Sequence, residues 1–126
     1  MTSRQIAQFC SECAENKKAE NPVILDVRSQ SSITDFFVVV SGTSAPHVRA
    51  IWNEIVDRLL SVHQIRVRAP EGSAEGQWVV LDLYDVVVHV MRPETRAVYD
   101  LEGLWNDSKP VKPARVRRKP SRRKKA

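Results

Sequence analysis

At 126 residues, 42% of them apolar, the chain has the size of one domain and enough apolar side chains for a single core. No run reaches the roughly 18 to 20 uncharged apolar residues of a membrane helix, no secretory leader pattern opens the chain, and two cysteines are too few to staple a secreted fold, so a cytoplasmic setting is expected. The net charge of +5 is divided unevenly: residues 109–126 hold ten Lys and Arg and no acid, which leaves ten basic residues against 15 acids in the rest, a body of −5 bearing a tail of +10.

Ser3 is suited to cap a first helix over about 4–18, in which Ile6, Phe9, Cys10 and Cys13 recur at helical spacing and Lys17 and Lys18 complement the C-terminal dipole. After Pro22, residues 23–28 read as a strand, and 36–41 as a continuous apolar strand of the kind buried on both faces. Gly42 stops it. Ser44 then caps a second helix with Pro46 in its first turn, where a missing N–H is harmless, and Val48, Ile51, Trp52, Ile55 and Leu59 form its buried stripe. Strands are expected at 65–68, 77–83 and 86–91, the last two joined through Tyr84-Asp85 as a hairpin. Pro93 opens a last helix with Val98, Leu101 and Leu104 or Trp105 on one face, ended by Asn106 and Asp107. The order is αββαβββα, an α/β fold with a mixed five-stranded sheet flanked by helices. The domain is placed at 1–108. Residues 109–126 form a basic tail whose Pro110, Pro113 and Pro120 lie among Lys and Arg with almost nothing apolar to bury, the composition of a disordered segment.

Cys10-x-x-Cys13 has redox or zinc spacing, but it falls on a helix's apolar face, with no strand before it and no second ligand pair, so core packing is the better account. Gly42-Thr43-Ser44 between strand and helix is a place for an anion, yet it lacks the lysine of a P-loop and the three glycines of a dinucleotide turn. Nucleotidyl transfer needs carboxylates converging on a metal; Asp82 and Asp85, three apart, would face opposite ways on a strand. His47, His63 and His89 are scattered, and His89 shares a sheet face with Val87 and Met91. Trp78 opens its strand after a polar loop and shares a face with Val80 and Asp82, while Val79 and Leu81 point the other way. One face must take the helices; the other, if left uncovered, is a partner surface. In the tail, Arg115, Arg117, Arg118, Lys119, Arg122 and Arg123 have the charge of an arm that neutralises RNA phosphates, without interleaved aromatics for base stacking.

Leu25-Asp26-Val27, Ser32-Ile33-Thr34-Asp35-Phe36, Ser41-Gly42-Thr43-Ser44, Glu71-Gly72, Trp78, the run from Asp82 to Val90, and Arg96-x-x-Tyr99-x-Leu101-Glu102-x-Leu104-Trp105 together resemble the ribosomal silencing factor family, also called the Iojap family, over about residues 3–106. The resemblance implies a repressor of translation that is not an enzyme and takes no cofactor. It would dock on the large ribosomal subunit, chiefly on the protein numbered fourteen at the intersubunit face, and sterically keep the small subunit from joining when nutrients are scarce. It also implies a nucleotidyltransferase-like scaffold without the catalytic carboxylates, and homodimers of the free protein. By position, the family's tryptophan before the paired strands matches Trp78, its strand aspartate Asp82, and its D-V-V-V-H-V strand Asp85 to Val90. The expected docking residues are therefore Trp78, Val80, Asp82, Leu83, Asp85, His89 and Met91, with the tail as an auxiliary arm toward ribosomal RNA. The competing reading is a nucleotide-binding or nucleotidyl-transferring enzyme, carried by Gly42-Thr43-Ser44 and the α/β order.

Overall fold

The computed structural model describes residues 2–29, 34–68, 70–72, 77–104 and 109–110. Helix α1 (Ser3–Asn16) begins one residue earlier than its apolar spacing suggests, because Thr2, not Ser3, is the cap: its side chain accepts from the Gln5 N–H while the Gln5 side chain accepts from the Thr2 N–H. Ser3 instead donates to Asp35 at 2.9 Å. Strands β1 (Glu20–Asp26) and β2 (Phe36–Ser41) pair antiparallel, and α2 (Ala45–His63) carries the chain away from the sheet. Strand β3 (Glu71–Gly72) returns it, and β4 (Trp78–Asp82) and β5 (Val86–Met91) form the antiparallel hairpin, with β5 parallel to β2. Helices α3 (Pro93–Tyr99) and α4 (Leu101–Leu104) follow, and β6 (Lys109–Pro110) pairs with the outer edge of β1. The sheet is mixed, in the order β3-β4-β5-β2-β1-β6.

Two departures from the sequence pattern have physical causes. Residues 65–68 alternate inward and outward but join no ladder; Ile65 and Val67 pack against the core while Arg66 and Arg68 are exposed. Alternation reports which side is buried, not whether a strand lies alongside, and the third strand forms six residues later at Glu71. The last helix is broken at Asp100, whose left-handed backbone (φ 45°, ψ 60°) ends α3; its carboxylate then accepts the Gly103 N–H in α4. Leu101 is buried, but Val98 stands 78% exposed and shares no buried stripe with it. Lys109 and Pro110, expected to begin the tail, instead extend the sheet by two residues; 105–108 and 111–126, with Trp105, Asn106 and Asp107, lie outside the described residues.

One face of the sheet is closed by the two long helices. Ile24, Phe36, Val38, Val40, Val79, Leu81, Val86, Val88 and Val90 meet Ala7, Cys10, Cys13 and Ala14 of α1 and Val48, Ile51, Ile55 and Leu59 of α2 in one continuous core. Both cysteines belong to that core and are free; burial pushes the Cys10 thiol far up and the Cys13 thiol up to about 11, so neither is a thiolate at neutral pH. The turn after β2 fits tightly beneath α2: a Cβ on Gly42 would lie 2.8 Å from Val48 Cγ2 and 3.0 Å from the Val48 nitrogen. Ser44 caps α2 by accepting from the His47 N–H at 3.2 Å. The His47 ring turns back so that Nδ1 accepts the Thr43 N–H at 2.9 Å, while Nε2 lies 2.7 Å from the Lys17 carbonyl and donates to it. The end of α1 is thereby tied to the start of α2.

Candidate functional site

The hairpin register settles which residues share the other face. Trp78 pairs with Met91, Val80 with His89 and Asp82 with Val87, while across the parallel junction Phe37 pairs with Val87 and Val39 with His89. Trp78, Val80, Asp82, Val87, His89 and Met91 therefore stand on one surface, with Phe37 and Val39 beside them. Val39 and Met91 are buried there with Leu101 of α4, and Phe37 and Trp78 pack on that small cluster partly buried. Leu83, expected among the docking residues, packs instead against the helix-side core. The cause is the hairpin: its side chain belongs to the alternation of Val79 and Leu81, not to that of Trp78.

His89 is the centre of the surface. It is 8% exposed, the Phe37 ring meets it edge-on at 5.1 Å, and the Trp78 Nε1–H donates to its Nδ1 at 3.0 Å. Burial, with no acid to offset it, pulls its pKa down to about 4, so at neutral pH it is an uncharged ring. Trp78 stacks in turn on Tyr99 at 4.7 Å, and the edge of Trp78 with Val80, Glu71 and Gly72 lines a shallow, mostly apolar depression of about 350 Å³. Helix α3 is pinned at the end of this face by Arg96, which donates to Ser41 Oγ at 2.9 Å, and by Thr95, which donates to Gln77 Oε1 at 3.1 Å. Tyr99 is left 56% exposed on its outer side.

The acids lie at the hairpin end. Asp82 accepts the Tyr84 N–H at 2.9 Å in an Asx turn that holds Tyr84 at φ 69°, and Tyr84 projects 74% exposed. Asp85 offers its backbone carbonyl to the Asp35 and Phe36 N–H groups, leaving its carboxylate at the surface. Among the described residues, no three His, Cys, Asp or Glu come together as a metal site, and no helix is long and apolar enough to cross a membrane. In the Gly42-Thr43-Ser44 turn, the sequence's candidate anion cradle, two amides are engaged, Gly42 donating to the Met91 carbonyl and Thr43 to His47, and the Ser44 Oγ accepts the His47 N–H. The sequence pattern missed Phe37, Val39 and Tyr99 as parts of the face. For β2 the reason is that a strand apolar at every position carries no alternation to separate its two sides.

A family model described as ribosomal silencing factor during starvation matches residues 1–126. The chain belongs to the ribosomal silencing factor family. The ribosomal silencing factor of Halalkalibacterium halodurans is 37% identical over 111 residues, covering 88% of this chain and 94% of that protein. That of Bacillus subtilis is 37% identical over 108 residues, covering 86% and 91%. A crystal structure of a Chromobacterium violaceum protein superposes with a TM-score of 0.80 at 33% identity, covering 90% of this chain and 97% of that one. The ribosomal silencing factors are regulators of translation that associate with the ribosome.

Proposed function

We propose that the chain represses translation by seating the Trp78–His89 face on the large ribosomal subunit, on the protein numbered fourteen, where its bulk keeps the small subunit from joining. It acts by occupying a surface and not by catalysis, in the cytoplasm where ribosomes work. The observation that carries this is the sheet face itself: α1 and α2 close the other side, whereas here Phe37, Trp78, Val80 and Tyr99 remain partly exposed around a depression of about 350 Å³. Exposed Asp82, Asp85 and Glu71 at its rim, on a body of −5, suit a basic ribosomal protein. Residues 1–108 are the docking body in this reading. Met91 supports the face from beneath, and the free protein pairs with a second copy over the same surface.

Trp78→Ala is expected to weaken cosedimentation with purified large subunits by about thirtyfold, the roughly 2 kcal/mol of a hot-spot aromatic. The same variant should let small subunits rejoin in a sucrose gradient, and should sediment as a monomer at concentrations where the wild type does not. Unchanged binding by a folded variant would place the docking surface elsewhere.

The tail acts as an auxiliary arm toward ribosomal RNA through Arg115, Arg117, Arg118, Lys119, Arg122 and Arg123. Support comes from its +10 charge without a single acid, in a chain whose body alone would be repelled by phosphate. Deleting 111–126 should flatten the dependence of large-subunit affinity on salt while leaving binding at high salt nearly intact. An unaltered salt slope would remove the arm from the account.

A further inference from the structure

The strand register that groups Trp78 with His89 also fixes the direction in which the basic tail leaves the body. Lys109 pairs with Asp26 and Pro110 with Leu25, antiparallel to β1, so the chain at Pro110 travels toward the start of β1. Glu20 at that start pairs with Ser41, Ser41 with Met91, and Met91 with Trp78. The tail is therefore directed at the end of the sheet that carries Trp78 and α3, and away from the hairpin turn. From Pro110 to that end is the length of five strand residues, about 17 Å, whereas residues 111–126 can span about 50 Å when extended. Seven of the nine Lys and Arg in 111–126 lie at 117–125, beyond the length needed to reach the end of the sheet.

The charges of the body are sorted along the same axis. Asp26, Asp35, Asp82 and Asp85 stand at the hairpin end, where Asp26 takes up Arg28 at 2.6 Å and Arg4 lies over the Phe36 ring. At the opposite end Lys17 and Lys18 are exposed in the turn before β1, and Arg49 is exposed in the opening turns of α2. His47 draws these together: from the first turn of the helix that bears Arg49, its Nε2 donates to the Lys17 carbonyl at 2.7 Å. Glu15 and Glu20 are the exposed acids on either side of the lysines, and Arg92 pairs with Glu94 at 3.5 Å. We propose that the tail and this end of the body, through Lys17, Lys18 and Arg49, hold one strand of ribosomal RNA beyond the Trp78 end of the sheet, with β6 as the clamp that aims the tail at it. The inference rests on the reading of the tail as an RNA-facing arm. Cations spread over a tail and a body patch suit an extended polyanion, whose phosphates recur every few ångströms, better than a compact cluster of acidic side chains. The clamp matters because a tethered arm reaches its second contact at an effective concentration that falls steeply when the tether starts in the wrong place.

The test moves the arm without changing its charge. In a transposed variant, residues 111–126 are cut from Pro110 and placed ahead of residue 1, which brings them to the hairpin end, since Ser3 at the start of α1 donates to Asp35. Affinity for purified large subunits is measured from about 50 to about 200 mM salt for wild type, the transposed variant and the deletion of 111–126. The transposed variant is expected to bind about tenfold more weakly than wild type at the low-salt end and to share the flattened slope of the deletion. Affinity and slope equal to wild type would overturn the proposal with the arm itself intact, because charge would then suffice from either end. If the deletion already leaves the slope unaltered, the arm reading fails and the inference goes with it. A second set of variants reads the body. Lys17→Gln, Lys18→Gln and Arg49→Gln together should lower the slope by about two, whereas Arg66→Gln with Arg68→Gln, exposed elsewhere, should leave it unchanged. Equal slopes for the two sets would remove that end of the body from the RNA surface.

Discussion

Replacing Phe36 by alanine should destabilise the domain by about 3 to 5 kcal/mol, the usual cost of emptying a buried aromatic site. Phe36 is wholly buried at the head of β2, in the same core as Cys10 of α1 and Ile51 of α2, and its backbone N–H donates to the Asp85 carbonyl at 3.1 Å. The guanidinium groups of Arg4 and Arg28 lie 5.6 and 5.2 Å from its ring centroid, so the substitution also removes the face over which two cations sit. A domain of this size is held by about 5 to 15 kcal/mol, so the loss is a large share of the whole. Urea unfolding followed by tryptophan fluorescence reads it as a fall in midpoint with little change in slope. Because Phe36 points to the helix side, the fraction that remains folded should bind large subunits with wild-type affinity. A destabilisation below about 1 kcal/mol would mean that the α1–sheet core carries far less of the fold than its burial implies.

Acid should weaken the fold through His89, and the direction follows from which state can take the proton. In the unfolded chain the imidazole titrates near 6.5; in the native sheet burial holds it down to about 4. Above pH 6.5 neither state is protonated at this ring and its contribution to stability is constant. As pH falls below 6.5 the unfolded chain binds a proton that the native chain refuses, so stability is lost progressively until the native ring itself titrates near 4. The accumulated loss is about 3 kcal/mol. Carboxylates add to it: Arg28 holds the Asp26 carboxyl below its ordinary range, which also makes the fold weaker as acid is added. Urea midpoints of wild type and His89→Phe, each measured at pH 7.5 and pH 4, separate the two. The wild type should lose about 3 kcal/mol more than the variant over that interval. Equal losses would show that the ring is accessible to protons in the native state.

Much of the fold could be read before the coordinates, because local signals and tertiary demands agree. The α2 stripe of Val48, Ile51, Ile55 and Leu59 is buried as its spacing requires, with Trp52 at its margin, and Ser44 caps as expected. The two sides of β4 followed from alternation, Trp78 and Val80 on one and Val79 and Leu81 on the other. What could not be read is what depends on distant neighbours. Whether residues 65–68 would find a ladder, whether β1 would take Lys109 and Pro110 on its free edge, and on which side of the sheet Phe37 would emerge are settled by partners that no local pattern names. For the site, alternation put Trp78 with Val80 and Asp82 and His89 with Val87 and Met91, but that the two sets share one face, and the Nδ1 bond that fixes the tautomer, were not legible. That bond needs two residues eleven apart to meet diagonally across a hairpin. Leu83 was misplaced although the alternation of Val79 and Leu81 already carries it to the helix side.

Along β5, Val86, Val88 and Val90 enter the helix-side core while Val87, His89 and Met91 face the other side, the surface proposed for docking. Six consecutive positions therefore serve two clusters in strict rotation, the larger one under the helices and the smaller one that Met91 shares with Val39 and Leu101. Under the proposed docking, inherited variants at Val86, Val88 or Val90 should be rescued by raising expression, because only the amount of folded protein falls. Those at His89 or Met91, which are buried as well, should be rescued only in part, because stability and binding fall together.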